Sequence, residues 1–167
     1  YEASSMASTF QYGPDPTFGF AEFMDLFATG TYGGSITVQN ANTWVIESGG
    51  RTFTFSGSGL TYSTVSGHTF PTGGTLGALS ISDISGTLGM LSGMTMPAGD
   101  LTAAFLAELQ GSDAFALETL FLTRNHVFYG TNGREMLTDG QLTNDGVAFA
   151  PSGDDTAYLM GGDDVFA

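Results

Sequence analysis

Gly153-Asp154-Asp155 recurs nine residues further on as Gly162-Asp163-Asp164. A glycine two places ahead of an aspartate suits cation chemistry. The glycine lets the backbone turn through conformations that other residues avoid. The carboxylate and the turn's carbonyls then present hard oxygen ligands of the sort calcium takes. Adjacent carboxylates could instead divide acid and base work between them. Neighbouring residues of one strand or turn point in different directions, however, and no aromatic cluster that would form a pocket adjoins either pair. Six of the aspartates fall between Asp139 and Asp164, Asp145 among them, a local density beyond what solubility requires.

Set end to end, the eighteen residues from Ala150 read APSGDDTAY and LMGGDDVFA, which puts Ala157 and then Phe166 in an inward apolar slot. This is the nonapeptide pattern G-G-x-G-x-D-x-U-x with its first two glycines replaced. Nine-residue steps toward the N-terminus keep the register and lose the ligands. Leu137 and Phe128 fall in the apolar slot, Gly133 and Arg124 in the turn, Glu135 and His126 in the ligand slot, where His126 reads as a turn imidazole. Twenty residues separate Glu135 from Asp155 where two units need eighteen, so an irregular loop with Asp139, Asn144 and Asp145 interrupts the pattern.

These residues resemble the RTX, or hemolysin-type, calcium-binding repeat family, closely over the last eighteen residues and in degenerate form over about twenty-five more. The resemblance implies a parallel β-roll in which each nonapeptide is a turn plus a short strand and two of them make one coil, with calcium between turns stacked on the same side. It implies Asp155 and Asp164 as carboxylate ligands, with carbonyls near Gly153 and Gly162 completing the turns. Asp154, Asp163 and Asp145 join them as acidic candidates for the same metal region. The two adjacent turns would lie on opposite sides of the roll, each facing a partner turn about two units away.

Seventeen acids against three arginines and no lysine give a net charge of −14. Such a surface repels phosphate backbones and anionic headgroups, which disfavours nucleic acid and peripheral membrane binding, and it attracts divalent cations. Without cysteine, neither a disulfide scaffold nor a thiolate metal site is possible. No apolar run approaches the length of a membrane span. Hydrophobic residues at 41 % and aromatics at 13 % provide for a packed core despite twenty-five glycines.

The elements that must position the acidic tail are legible from periodicity. GPDP at Gly13–Pro16 is a rigid turn. Phe18, Ala21, Phe23, Met24 and Phe27 recur at helical spacing, with Asp15 or Thr17 as cap, and predict a short helix to about Thr29 whose stripe is core. From Gly33 the period becomes two. Ile36/Val38, Trp44/Ile46, Phe53/Phe55 and Leu60/Tyr62 are strands separated by glycine- and asparagine-rich turns. The stretch from Leu76 through Ile84 to Met94 continues as sheet or irregular coils. Asp100 is expected to cap a helix carrying Leu101, Ala104, Phe105 and Leu109, which stops at Gln110-Gly111, and Asp113 to open a second one. The expected class is therefore mainly β. It comprises a β-rich N-terminal module with one early helix over residues 1–98, two short capping helices over 99–122, and a degenerate parallel β-roll over 123–167. Many members of the resembled family place a module like TFTFSGSGLTY followed by LTAAFLAEL ahead of their repeats, and here that likeness covers about Thr52 to Leu122.

Other chemistry finds little footing. His68 and His126 lack the spacing of a zinc motif, SGSG at Ser56–Gly59 is a hairpin turn rather than a nucleophile elbow, and no glycine-rich stretch carries the Lys-Ser/Thr step of a phosphate loop. Trp44, beside Asn40 and Asn42, reads as the core residue of its strand, with sugar stacking as the rarer role. The chain is thus expected not to be an enzyme but a calcium-dependent extracellular or cell-surface structural protein. A subunit of a larger extracellular or virion assembly is the alternative, and a carbohydrate-binding module the further one. The open edge of the roll is where copies of the chain, or other assembly subunits, would dock.

Overall fold

The computed structural model describes residues 7–15, 18–122, 124–133, 136–137, 141–142, 148–149, 156–158, 160–161 and 165–166. It is mainly β, as the periodicity implies. Five antiparallel strands form a meander: β2 (Ser35–Gln39), β3 (Thr43–Ser48), β4 (Arg51–Val65), β5 (His68–Asp83) and β6 (Gly86–Pro97). The reversals sit where the backbone must take positive φ. Gly49 and Gly50 close β3–β4 at 57° and 77°, and Ser66 and Gly67 close β4–β5 at 52° and 82°. Ile84 belongs to no apolar face. It stands fully exposed at the tip between β5 and β6, where the Asp83 carboxylate accepts from the Ser85 amide and hydroxyl at 2.7 and 2.6 Å.

The meander supplies five of the eight strands of the sheet. β1 (Ser8–Tyr12), a strand that sequence periodicity did not disclose, lies antiparallel to β6, and β7 (His126–Tyr129) and β11 (Thr156–Tyr158) follow in parallel, so the order is β11-β7-β1-β6-β5-β4-β3-β2. Registers align one buried row from tail to module: Ala157, Phe128, Phe10, Leu91, Leu79, Phe55 and Trp44 are successive cross-strand partners. All but the partly buried Ala157 are at most 1 % exposed. One residue on, the row on the other face is Tyr158, Tyr129, Gln11, Met90, Ser80, Thr54, Val45 and Val38, which contains no charge. The acids of this chain therefore keep clear of the middle of the uncovered face.

Helices cover the buried face. In α1 (Phe20–Tyr32) the residues Phe20, Phe23, Met24, Phe27 and Thr31 are buried at the spacing of one helix face. Its N-cap is Gly19, whose amide donates to the Glu22 carboxylate at 3.0 Å, rather than Asp15. Gly30 is what lets this helix approach the sheet: a Cβ there would stand 2.1 Å from Cζ of Phe53. In α2 (Ala98–Leu109), Pro97 is the N-cap and Asp100 falls inside the first turn, where a carboxylate still favours the helix dipole. The helix ends at Gln110, followed by Gly111 at φ 68°, as read from the sequence. Its face of Leu101, Thr102, Ala104 and Phe105 packs on β5 and β6, and Thr102 Oγ1 donates to the Pro71 carbonyl at 2.6 Å. α3 (Ala116–Leu122) is preceded by Asp113, whose carboxylate accepts from the Phe115 amide, and packs on α1 and α2.

Candidate functional site

Beyond the large sheet, β8 (Met136–Leu137) pairs in parallel with β12 (Val165–Phe166), and β9 (Gln141–Leu142) pairs antiparallel with β10 (Ala148–Phe149). Val127 faces Thr156 and Met136 faces Val165, a shift of 29 residues in both cases. Each of these parallel steps joins strands of matching nonapeptide position: Phe128 over Ala157 and Leu137 over Phe166, the four residues of the apolar slot. The step is 29 residues rather than the 18 of a two-unit coil. The physical reason is the β9–β10 hairpin, which turns the chain back on itself before β11 begins.

The matching shift has a geometric consequence. The connection from β7 to β8, residues 130–135, and the connection from β11 to β12, residues 159–164, begin on paired strands and end on paired strands. Two contacts join their described residues: Gly130 N–H donates to the Tyr158 carbonyl at 3.0 Å, and a Cβ on Gly161 would lie 3.7 Å from Asn132 Oδ1; within the first connection the Thr131 hydroxyl accepts from Gly133 N–H at 3.0 Å. The first connection reads GTNGRE and the second LMGGDD, both rich in glycine and oxygen donors. Among the described residues Asn132 is the neighbour of Gly161, a proximity that spacing alone did not single out.

All seven residues expected at the metal, Gly153, Asp154, Asp155, Gly162, Asp163, Asp164 and Asp145, lie outside the described residues. Among the described residues no group of three or more His, Cys, Asp or Glu side chains is placed to hold a metal ion.

His126 is placed differently from expectation. It is no turn residue: it opens β7, fully buried, with Nδ1 2.7 Å from Ser8 Oγ and Nε2 2.8 Å from the Phe121 carbonyl. A carbonyl only accepts, so Nε2 carries the proton, and in the neutral ring Nδ1 accepts from the Ser8 hydroxyl. Ser8 N–H donates in turn to the Asn125 carbonyl at 3.0 Å. The imidazole thereby fastens β1 to the α3–β7 junction. The ring packs on Phe20 and Phe128 at centroid distances of 5.0 and 5.8 Å, so its surroundings are core. Trp44 is likewise core, 1 % exposed and 4.6 Å from Phe55, and presents no open face for a sugar to stack on.

Compared with protein-family models, curated proteins and solved structures, the chain matches none, so its functional reading rests on its own residues.

Proposed function

We infer that this chain is a calcium-dependent structural protein of an extracellular or cell-surface setting, in which the ion orders the C-terminal repeats into a parallel roll continuous with the main sheet. The observation that supports the reading is the common 29-residue shift of the two parallel pairs, which joins Phe128 to Ala157 and Leu137 to Phe166, residues of the same slot of the nonapeptide. Calcium takes six to eight oxygen ligands at about 2.3–2.6 Å and accepts carboxylates and carbonyls from irregular turns. Asp163 and Asp164 with carbonyls near Gly162 supply such donors from one connection, and carbonyls near Gly133 and the Asn132 amide oxygen supply them from the other. Gly153, Asp154, Asp155 and Asp145 supply the same donor type at the preceding turn. When bound, the ion supplies charge neutralisation and cross-linking, and a chain of net charge −14 is held back from closing acidic turns without it.

Ordering contributes RT ln(1 + [L]/Kd) to stability, roughly 2.7 kcal/mol at a hundredfold excess of calcium over Kd. A weak site of the extracellular type, with Kd on the order of 0.1 to 1 mM, fills outside the cell and not inside. The test is circular dichroism and light scattering of the whole chain titrated with calcium against EGTA, with magnesium as control. A calcium-specific gain of β signal, weakened at least tenfold in midpoint by Asp164→Ala, is expected. An unchanged midpoint in Asp164→Ala sinks the ligand assignment, and no response to calcium sinks the reading.

The assembly reading draws on one specific feature. β11 is the last strand of the sheet order, and Tyr158 on it, 52 % exposed, stacks on Tyr129 at 5.1 Å and 14°. An edge strand with a half-exposed aromatic stack is a template for a further strand. A rise in light scattering that accompanies the calcium response selects this version of the function.

A further inference from the structure

The helices α1 and α2 pack on one face of the large sheet and leave the other open. The middle row of the open face divides into two halves. From β11 to β6 it carries Tyr158, Tyr129, Gln11 and Met90, all long side chains, and from β5 to β2 it carries Ser80, Thr54, Val45 and Val38, all short ones. None of the eight is buried, and Tyr158, Tyr129 and Val38 are 52, 42 and 39 % exposed. The next row, from Thr156 on β11 through Ser92 and Ala78 to Thr43 on β3, is equally free of charge. On the opposite side of the middle row, Thr87, Ser82, Thr52, Glu47 and Ser35 are successive partners, and Glu47 is the one charged residue of the three rows.

A chain with seventeen acids that places a single one on this face sets it apart from the rest of its surface. Depletion of charge, with tyrosine and methionine among the side chains that remain, is the make-up of the core of a protein–protein interface. Charge also narrows the choice of partner. Two copies at −14 each repel wherever acids meet acids, and here they can approach without burying one. The order of sizes narrows it further. A half-turn about an axis that runs along the strands between β5 and β6 lays the long half of one copy on the short half of the other. Tyr158 then meets the partner's Val38, Tyr129 its Val45, Gln11 its Thr54 and Met90 its Ser80, and the Gln11 amide stands where it can exchange a hydrogen bond with the Thr54 hydroxyl.

We propose that the open face of the sheet is a homodimer interface, two copies packing face to face about this twofold axis. Such isologous contacts require one patch to be complementary to itself, and the graded middle row has that property. The extent is sufficient. Eight strands about 4.8 Å apart and three rows about 7 Å apart outline on the order of 750 Å². A standard interface takes about 800 Å² from each partner. The calcium reading plays no part in this inference, and the contact differs from strand addition at β11, which leaves Ser80 in solvent.

The test is sedimentation velocity and light scattering of the whole chain in EGTA, from about 1 to about 200 µM. A dimer with a Kd at or below about 10 µM is expected, the weak end for an interface of this size. Ser80→Glu brings a charge of each copy to the twofold, and a loss of affinity of about a hundredfold or more is expected. Ile84→Glu adds the same charge at the fully exposed β5–β6 tip, off the face, and is expected to leave the dimer intact. Circular dichroism checks the fold of both. The chain has no cysteine, so Gln11→Cys and Thr54→Cys carry one thiol each. Mixed and treated with a short bis-maleimide, these two variants are expected to couple to each other in preference to themselves. Coupling in statistical proportion, or equal affinity in Ser80→Glu and Ile84→Glu, overturns the proposal. A chain that stays monomeric throughout the concentration range leaves the face to a partner of another kind and overturns it as well.

Discussion

Replacing Phe128 by alanine tests whether the segment that leads into the acidic repeats belongs to the core of the main sheet. Phe128 is fully buried, pairs with Phe10 on one side and Ala157 on the other, and holds its ring 5.3 Å from Phe20 and 6.2 Å from Phe10, edge to face in both cases. Removing a buried phenylalanine costs about 3–5 kcal/mol, the transfer term plus the cavity left behind. The surroundings here are large rings and a hydrogen-bonded imidazole that cannot collapse into the gap, so the upper half of that range applies, about 4–5 kcal/mol. For a chain of this size each kcal/mol moves Tm by about 2–4 °C, which gives a fall of about 8–20 °C. Tyr129 is the internal control. It points to the other face, is 42 % exposed, and stacks on Tyr158, so Tyr129→Ala is expected to cost less than about 1 kcal/mol. Urea and thermal unfolding followed by near-ultraviolet circular dichroism, in EGTA and again in calcium, read both. A cost for Phe128→Ala within about 1 kcal/mol of zero, or below that for Tyr129→Ala, refutes the placement of β7 in the core sheet and with it the buried row from Ala157 to Trp44.

Two further outcomes follow from the module. Gly30→Ala gains about 1 kcal/mol of helix propensity and forces a Cβ into the Phe53 ring. Overpacking of that kind costs about 1–3 kcal/mol, so a net loss is expected in urea unfolding, and a net gain would show that α1 stands off the sheet. Burial raises the Tyr62 phenol above its usual value. A group whose folded value is raised contributes stability that is complete below the unfolded value of about 10 and is lost as pH climbs through the folded one. Wild type should therefore lose more stability than Tyr62→Phe between about pH 9 and pH 11, and parallel pH curves for the two would refute the effect of burial on its phenol.

How far the sequence disclosed this arrangement depended on whether the signal was local. Trp44/Ile46 and Phe53/Phe55 alternate within single strands that pair with sequence neighbours, so period and glycine turns were enough to place them. Leu101, Ala104 and Phe105 form a helical stripe with its stop at Gly111, equally local. β1 escaped notice because its pattern is five residues long and its partners are remote: Phe10 faces Leu91 on one side and Phe128 on the other. His126 was misplaced for a related reason. Nine-residue stepping put it in a turn slot, yet the hydroxyl that receives it, Ser8, lies 118 residues away, and no periodicity reports a partner at that distance. Stepping by nine put Phe128 and Leu137, and again Ala157 and Phe166, in the apolar slot, but it did not give the 29-residue shift by which Phe128 meets Ala157 and Leu137 meets Phe166.

The placement of β1 bears on how the tail and the module depend on each other. β1 lies between β6, antiparallel, and β7, parallel, and so belongs to the meander by one edge and to the C-terminal strands by the other. β7 is four residues long, too short to hold its place by ladder bonds alone. The Ser8–His126–Phe121 bridge and the Phe10–Phe20–Phe128 ring cluster supply the rest from the module side. β11, by contrast, takes its sheet pairing from β7 alone, and Tyr158 on it remains half-exposed. β7 is therefore fixed by apolar burial, whereas β11, paired with β7 alone among the described residues, leaves a further agent to hold it. On the calcium reading that agent is the ion, and its effect should be largest on β11 and β12 and smallest on β1. Amide hydrogen exchange in EGTA and in calcium resolves the two: protection gained equally across β1, β7 and β11 would mean that the ion folds the whole sheet, and the division of labour between apolar burial and metal binding would fall.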